Sequence, residues 1–560
     1  MTMPQIGTRR VRRLVLLAVC AATCLLHLGS APVTLMEARN FVAAREMAAG
    51  GSWLIPTMNG ELRLAKPPLP TWAVAGMQRL VGPTENPALL RLPAALMAGL
   101  LVFFFWGLVQ ELVREQPGEA DAPGRTAWLA ALMLASSLLL ITVGREGQWD
   151  IFANSFMLGA LWALLRAWNA ERGALGWFVL GGMLLGGSFL SKGPVVLYAM
   201  LVPFAVAFFS PLNPSRGPVR PRLAGLLLAV GVGLIIGLAW PTYLALQHEV
   251  GPAALAVART EVGAWAERHA QPFWYYWNFP VFVGVWAPVA WVALAVPYAR
   301  PRAGRYVPYL LGLGWLLLAF VLLSAVPEKK ERYMLPLLPP LVLIAAGLLR
   351  YWETELRGLT PARLSVGLVR GWAGLLALVC LLVPVALAVG HGPGFAVSTV
   401  GFIGTAAGFL LVAGFVAWQV IKHLRVGALV SGAVAAMLLL LTVLPAYYAW
   451  KDARGESGLR TLAEVRRNPA LARATWYSLE PPNMVHVWEL GRAVPSWPRD
   501  ADSLLLRPAT PVAVVTGQDV AAALPAAWRT RAQLQVVDSF ALGNKRKDGY
   551  WRVTVVRVLP

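Results

Sequence analysis

Charge is scarce in this chain. Only 14% of its 560 residues are Asp, Glu, Lys or Arg, against 58% hydrophobic, and the mean hydropathy is +0.59. Soluble globular domains carry about 25% charged residues, so this composition excludes a water-soluble fold for the chain as a whole. Acids are scarcer than bases: 28 Asp and Glu stand against 49 Lys and Arg, a formal net charge of +21. The surplus is spread through the gaps between apolar runs rather than gathered on one soluble face, which excludes a nucleic-acid partner. Cysteine is nearly absent. Cys20, Cys24 and Cys380 all fall within apolar runs and offer neither a disulfide framework nor a thiolate metal spacing. The six histidines form no close pair flanked by acids at ligand spacing, which argues against a histidine-based metal site.

What the chain has instead is apolar runs. About thirteen of them, each of about the 17 to 25 residues that a bilayer crossing needs, follow one another between residues 14 and 446. The first is preceded by Arg9, Arg10, Arg12 and Arg13, as in a secretory signal. No small-residue cleavage site follows before Glu37, so it reads as a retained first helix. Arginine marks alternate gaps: Arg114 and Arg125, Arg166 and Arg172, Arg216 to Arg222, Arg300 to Arg305, Arg350 to Arg370, and Arg425. The positive-inside rule makes these gaps and the N-terminus cytoplasmic, and an odd number of crossings then puts the C-terminal segment outside. The expected architecture is an α-helical polytopic membrane protein over residues 1–446, with a long first outer loop at 31–88 carrying two interfacial helices. A small extracytoplasmic α/β domain follows over residues 447–560. In it, 451–469 reads as a helix, and 512–517, 533–540 and 550–559 read as strands.

The outer loops hold the chemistry. Lys66, Lys192, Lys329 and Lys330 all fall on the face opposite the arginine-rich gaps, against the ordinary positive-inside bias. Ionisable groups at membrane depth are costly unless paired or hydrated, so a cluster at one face marks a functional site. Cations exceed acids there, as a phosphate headgroup requires. Lys329, Lys330 and Arg332 together read as phosphate binders in preference to snorkelling side chains. Lys192, in a two-residue polar break, is balanced between those readings. Glu37 opens an interfacial helix and fits equally a helix-dipole carboxylate and a general base. Asp150 fits a helix cap, a partner of Arg145 or a substrate ligand, with the structural pairing preferred.

Taken in order, MEARNFVAAREM (36–47), MNGELRLAKPPLPTW (58–72), GREGQWD (144–150), SKGP (191–194) and KKERYMLPLLPP (329–340) resemble a known family. It is the aminoarabinose transferase and protein O-mannosyltransferase superfamily of membrane glycosyltransferases, and the likeness is closest to the bacterial lipid A branch. The resemblance implies the C-type membrane glycosyltransferase fold, in the inner membrane with a periplasmic active site. It implies a sugar donor linked to a polyprenyl phosphate such as undecaprenyl phosphate, and an acceptor among lipid A or lipopolysaccharide, other glycans and protein hydroxyls. By the same resemblance Lys66 contacts the carrier phosphate, Lys330, Arg332 and Tyr333 do likewise, and Asp150 is the acid of the second catalytic-face loop. Two positions depart from the family. Met36 stands where the first loop carries its principal catalytic Asp, leaving Glu37, and Ala65 stands where the aminoarabinose branch has an acidic residue proposed as a metal ligand. No metal or other cofactor is therefore expected.

The expected site comprises Glu37 and Asp150 as catalytic acids, and Lys66, Lys192, Lys329, Lys330, Arg332 and Tyr333 on the donor phosphate. Arg39, Arg145 and His269 lie near it. Two other classes stay open at this point: an inactive paralogue that binds polyprenyl phosphate, and a transporter of the lipid carrier.

Overall fold

Apolar runs in a bilayer must satisfy every backbone N–H and C=O internally, and helices do so within one segment. The computed structural model describes residues 5–213, 222–263, 269–358, 360–389, 399–453, 466–467, 471, 474–497, 511–524, 532–541 and 550–558. Among the described residues, nine helices are long and apolar enough to cross a membrane, or ten if one bent pair is a single span. The chain is thus a multi-span membrane protein. The first helix, α1 (Gln5–Leu25), and the shorter apolar helices Leu197–Phe209 and Tyr309–Ala325 fall outside that set. Thirteen crossings therefore remains an expectation.

The bent pair shows how local chemistry breaks a span. Arg125–Ala135 and Leu138–Gly144 meet at 59°, and between them Ser136 and Ser137 each donate a hydroxyl back to the carbonyl four residues earlier, both at 2.7 Å. Such bonds compete with the helical ladder and bend it. At the opposite end of the first of these helices, Glu353 (5% exposed) pairs with Arg125 at 2.6 Å and with Arg350 at 3.2 Å. That ties Arg125–Ala135 to the Leu338–Glu355 helix.

The loop 31–88 carries two helices, α2 (Leu35–Ala48) and α3 (Leu69–Val81). Between them β1 (Thr57–Met58) and β2 (Glu61–Leu62) pair antiparallel. Their turn is Asn59-Gly60, with φ of +60° and +79°, the left-handed pair that a two-residue hairpin demands. The carboxylate of Glu46 accepts from the Thr57 hydroxyl at 2.5 Å and from the Asn59 N–H at 2.6 Å, fixing that hairpin to α2.

One expectation for α2 is corrected. Its charged positions suggest a helix lying on the membrane with one side in water, yet Glu37, Asn40, Phe41, Ala44 and Met47 are all buried. The C-terminal domain covers it. In that domain β3 (Thr475–Ser478), β4 (Val512–Thr516), β5 (Ala532–Ala541) and β6 (Tyr550–Val558) form one sheet in the order β3-β4-β6-β5. The β3–β4 pair is parallel and the others are antiparallel. The three sequence-read strands are present. β3 was not anticipated, since four residues give too short an alternation to detect. The helix read at 451–469 lies mostly outside the described residues. Phe41 of α2 meets Trp488 of the domain with ring centroids 5.3 Å apart, inside one hydrophobic cluster that also holds Val74, Trp476 and Val553. Asn59 exchanges two hydrogen bonds with the backbone of Val494, at 2.8 and 2.7 Å. The domain is thereby packed directly on the loop that carries Glu37.

Candidate active site

Helix α4 (Pro87–Val113) and the loop 145–148, which precedes α7 (Trp149–Asn169), converge on the start of α2. There Glu37 is fully buried, 0% exposed. Its Oε1 accepts from Arg91 Nε at 2.6 Å and from the Gly147 N–H at 2.9 Å, while Oε2 accepts from Arg91 Nη2 at 3.0 Å and from the Thr34 N–H at 2.9 Å. The remaining Arg91 N–H groups reach the carbonyls of Leu28, Ala31 and Pro32 at 2.9 to 3.0 Å. Four donors occupy a carboxylate whose capacity is about four lone-pair sites, so Glu37 has no position open to a substrate proton in this arrangement. Its geometry is that of a keystone joining α2, α4 and the 145–148 loop.

Other bonds complete that junction. Asn40 donates to the Gly147 carbonyl at 2.9 Å and accepts from the Thr71 hydroxyl at 2.7 Å, bringing in α3. A Cβ on Gly147 would lie 2.5 Å from the Phe41 ring. Glycine is required there because the loop backbone approaches α2 too closely for a side chain.

Asp150, 4% exposed, begins α7 beside a cluster of cations. Oδ1 pairs with Lys192, at the end of α8 (Ala174–Lys192), and Oδ2 lies 3.3 Å from Arg332 Nε. The expected partner Arg145 is elsewhere, donating to the Thr23 carbonyl at 3.0 Å. Asp150 thus has a structural pairing, but with two cations from two other elements. Tyr333 sits amid the cations: its ring centroid is 4.3 Å from Lys192 Nζ, 5.4 Å from the Arg332 guanidinium and 5.8 Å from Lys330 Nζ. Lys330 in turn pairs with Glu328 at 2.9 Å, and the Tyr333 hydroxyl donates to the same Glu328 oxygen at 3.3 Å. Lys66 is close enough to Lys192 to repel it electrostatically. Lys66, Lys192, Lys330, Arg332, Tyr333 and Asp150 are therefore brought together.

The remaining expected residues are placed differently. Lys329 is 3% exposed and donates to the carbonyls of Gln271 at 3.1 Å and Val326 at 2.7 Å. Burial lowers its pKa below the ordinary lysine value. This corrects its assignment to the phosphate: its ammonium fastens the 326–330 loop to residues 269–271. His269 belongs to that fastening through its backbone, where its carbonyl accepts from the Lys329 N–H at 3.3 Å, and its side chain is exposed. Arg39 is half-buried on α2 and reaches the Met36 sulfur at 3.9 Å. Sequence reasoning missed Arg91, Glu328 and Tyr276, whose hydroxyl accepts from the Lys330 N–H at 3.2 Å. Arg91 carried one usable signal, an arginine one turn into a helix whose next eighteen residues are apolar or glycine. A charge there must be paired.

The resemblance implies a metal in related enzymes, and the residues here do not fit one. Ala65 has no side-chain ligand atom, Asp150 already carries two cations, and among the described residues no group of three His, Cys, Asp or Glu is placed to hold an ion.

The class defined by this fold and site is a polytopic helical membrane protein with a cationic cluster beside the loop 31–88 and a small mixed-sheet domain packed on that loop. Its fold matches the crystal structure of ArnT from Cupriavidus metallidurans in the apo state, with a TM-score of 0.70 over 99% of this chain and 98% of that one at 19% identity. It also matches the same protein bound to undecaprenyl phosphate, with a TM-score of 0.69 over 97% and 98% at 18% identity. The family model for dolichyl-phosphate-mannose-protein mannosyltransferase matches residues 65–240, and that for the Alg9-like mannosyltransferase family matches residues 269–400. Among curated proteins, the undecaprenyl phosphate-alpha-4-amino-4-deoxy-L-arabinose arabinosyl transferase of Serratia proteamaculans is 27% identical over 380 residues, 64% of this chain and 61% of the relative. That of Edwardsiella ictaluri is 27% identical over 359 residues, 62% of this chain and 61% of the relative. The chain thus spans about three fifths of the length of the curated relatives it matches. The chain is thus similar in part of its length to aminoarabinose transferases and to dolichyl-phosphate-mannose-protein mannosyltransferases.

Proposed function

We propose that the protein is a membrane glycosyltransferase that moves a sugar from a polyprenyl-phosphate donor, of which undecaprenyl phosphate is the bacterial form, to an acceptor at the periplasmic face of the inner membrane. The observation that carries this reading is the convergence of Lys192, Arg332 and Lys330 around Tyr333 and Asp150. A sugar phosphate already has its leaving group. The protein's task is to hold the donor and neutralise the phosphate as the anomeric C–O bond breaks, which fixed cations in a site of low dielectric accomplish without reorganising. Asp150 and Glu328 hold the cations in place, and Lys66 approaches from the first outer loop. The matched relatives are named for undecaprenyl-phosphate-linked aminoarabinose, so lipid A leads the acceptor candidates, with other glycans and protein hydroxyls following. Mass spectrometry of lipid A, surface glycans and secreted proteins from a deletion strain tests this. Loss of one sugar modification is the expected result, and unchanged profiles in all three would sink the reading. A second reading, a carrier-binding protein without turnover, is favoured by Met36 in place of the family's Asp. Purified protein that binds undecaprenyl phosphate but transfers no lipid-linked sugar would establish it.

The same proposal fixes orientation. Arginine-rich gaps are cytoplasmic and the capping domain is periplasmic, so reporter fusions at residues 120 and 500 are expected to give opposite signals. Matching signals would put the cationic cluster and the domain on different sides and dismantle the site. The proposal also makes activity independent of bound zinc. Elemental analysis is expected to find less than stoichiometric metal, and a stoichiometric metal whose chelation abolishes transfer would overturn this part.

A further inference from the structure

The carboxylates of the outer site differ in whether a cation sits on them. Glu37 has Arg91, Asp150 has Lys192 and Arg332, and Glu328 has Lys330. A cation seated on a carboxylate occupies lone-pair positions that a substrate proton would otherwise use. Glu146 is different: among the described residues it forms no ion pair. Its Oε2 accepts from the Gln148 amide, while Oε1 has no partner in that set. The residue is half-buried and its backbone is fixed, with its N–H bonded to the Val143 carbonyl at 3.3 Å and its own carbonyl accepting from the Gln148 N–H at 2.8 Å. The next residue, Gly147, is bonded on both sides to α2, through Glu37 and Asn40. Glu146 is therefore fixed beside the keystone, within electrostatic reach of Glu37, Arg91, Asp150, Arg332 and Tyr448.

We propose that Glu146 is the general base of the transfer reaction, and that the acceptor at this site is correspondingly a hydroxyl group. The inference rests on the glycosyltransferase reading above. As the acceptor oxygen bonds to the anomeric carbon, its proton passes to the Glu146 carboxylate. The anomeric C–O bond to phosphate breaks, and its electron pair stays on the departing phosphate oxygen beside Lys192, Arg332 and Lys330. The products are the glycosylated acceptor and the polyprenyl phosphate, and Glu146 returns its proton to water. The electrostatics suit this role. Burial first, then the negative charges of Glu37 and Asp150, raise the Glu146 pKa to about 7, with Arg332 and Arg91 opposing. A base is most effective when its pKa lies near the working pH.

The test uses the full-length protein in proteoliposomes, with undecaprenyl-phosphate-linked aminoarabinose as donor and lipid A vesicles as acceptor, since lipid A offers both hydroxyls and phosphates. Release of undecaprenyl phosphate is followed from about pH 5 to 9, and the linkage of the transferred sugar is read by mass spectrometry. The wild-type rate is expected to rise with pH around a midpoint of about 7, and the sugar to appear on a hydroxyl. Glu146→Gln is expected to lower the rate by about 100-fold or more and to abolish the pH limb. Undecaprenyl phosphate affinity should remain at the wild-type value, and Glu146→Asp should recover part of the rate together with the limb. An unchanged limb in Glu146→Gln, or transfer to a lipid A phosphate, overturns the proposal while leaving the transferase reading intact. A wild type that releases nothing at any pH sinks both.

Discussion

Arg91→Ala is expected to cost about 3 to 5 kcal/mol of stability, the consequence of leaving a buried carboxylate without its partner. Glu37 would keep only the Thr34 and Gly147 N–H groups, and the carbonyls of Leu28, Ala31 and Pro32 would lose their donor. Unfolding in detergent, followed by heat or denaturant, reads the loss directly. Glu37→Gln probes the same junction from the other side. A carboxamide presents its NH2 to a site where four donors already point inward, so stability and donor binding should fall together. A Glu37→Gln protein with wild-type stability and undecaprenyl phosphate affinity, but no turnover, would restore Glu37 as the catalytic base and count against the keystone assignment.

The second large effect separates neighbouring cations. Lys330→Ala and Arg332→Ala are each expected to weaken undecaprenyl phosphate binding by about one to two decades, since a charge-assisted contact contributes about 1.5 to 3 kcal/mol. Lys329→Ala should leave that affinity almost unchanged and lower stability instead, because its ammonium bridges the Gln271 and Val326 carbonyls. Binding measured on purified protein distinguishes the three variants. Equal losses in all three would mean that residues 329–332 act as one unit and that Lys329 reaches the phosphate. No loss in any of them would return these side chains to interfacial snorkelling.

The roles of these residues explain which parts of the site were legible. Lys66, Lys192, Lys330, Arg332 and Tyr333 announce themselves because cations at the ends of membrane helices have no cheap environment, so their clustering is visible in the order of motifs. Lys329 carries the same signal and has a different task, since adjacent residues on an extended segment point to opposite sides. Glu37 carries an ambiguous signal in the sequence. Its position at a helix start is compatible with capping and with catalysis, and only the arrival of Arg91 from 54 residues away decides that its lone pairs are occupied.

The sequence by itself determined the class of the protein. Low charge, apolar runs of bilayer length and alternating arginine-rich gaps dictate a polytopic helical architecture, because each is a local response to solvent and needs no knowledge of neighbouring segments. The β4, β5 and β6 strands were legible for the same reason. Tertiary structure alone decided which charge meets which. Asp150 joins Lys192 and Arg332 in place of Arg145, α2 is buried beneath the C-terminal domain when its pattern suggests an open membrane surface, and among the described residues Glu146 forms no ion pair beside three paired acids. Pairings of that kind depend on contacts between elements far apart in sequence. In a buried site, which acid is neutralised and which can still accept a proton is set by those contacts.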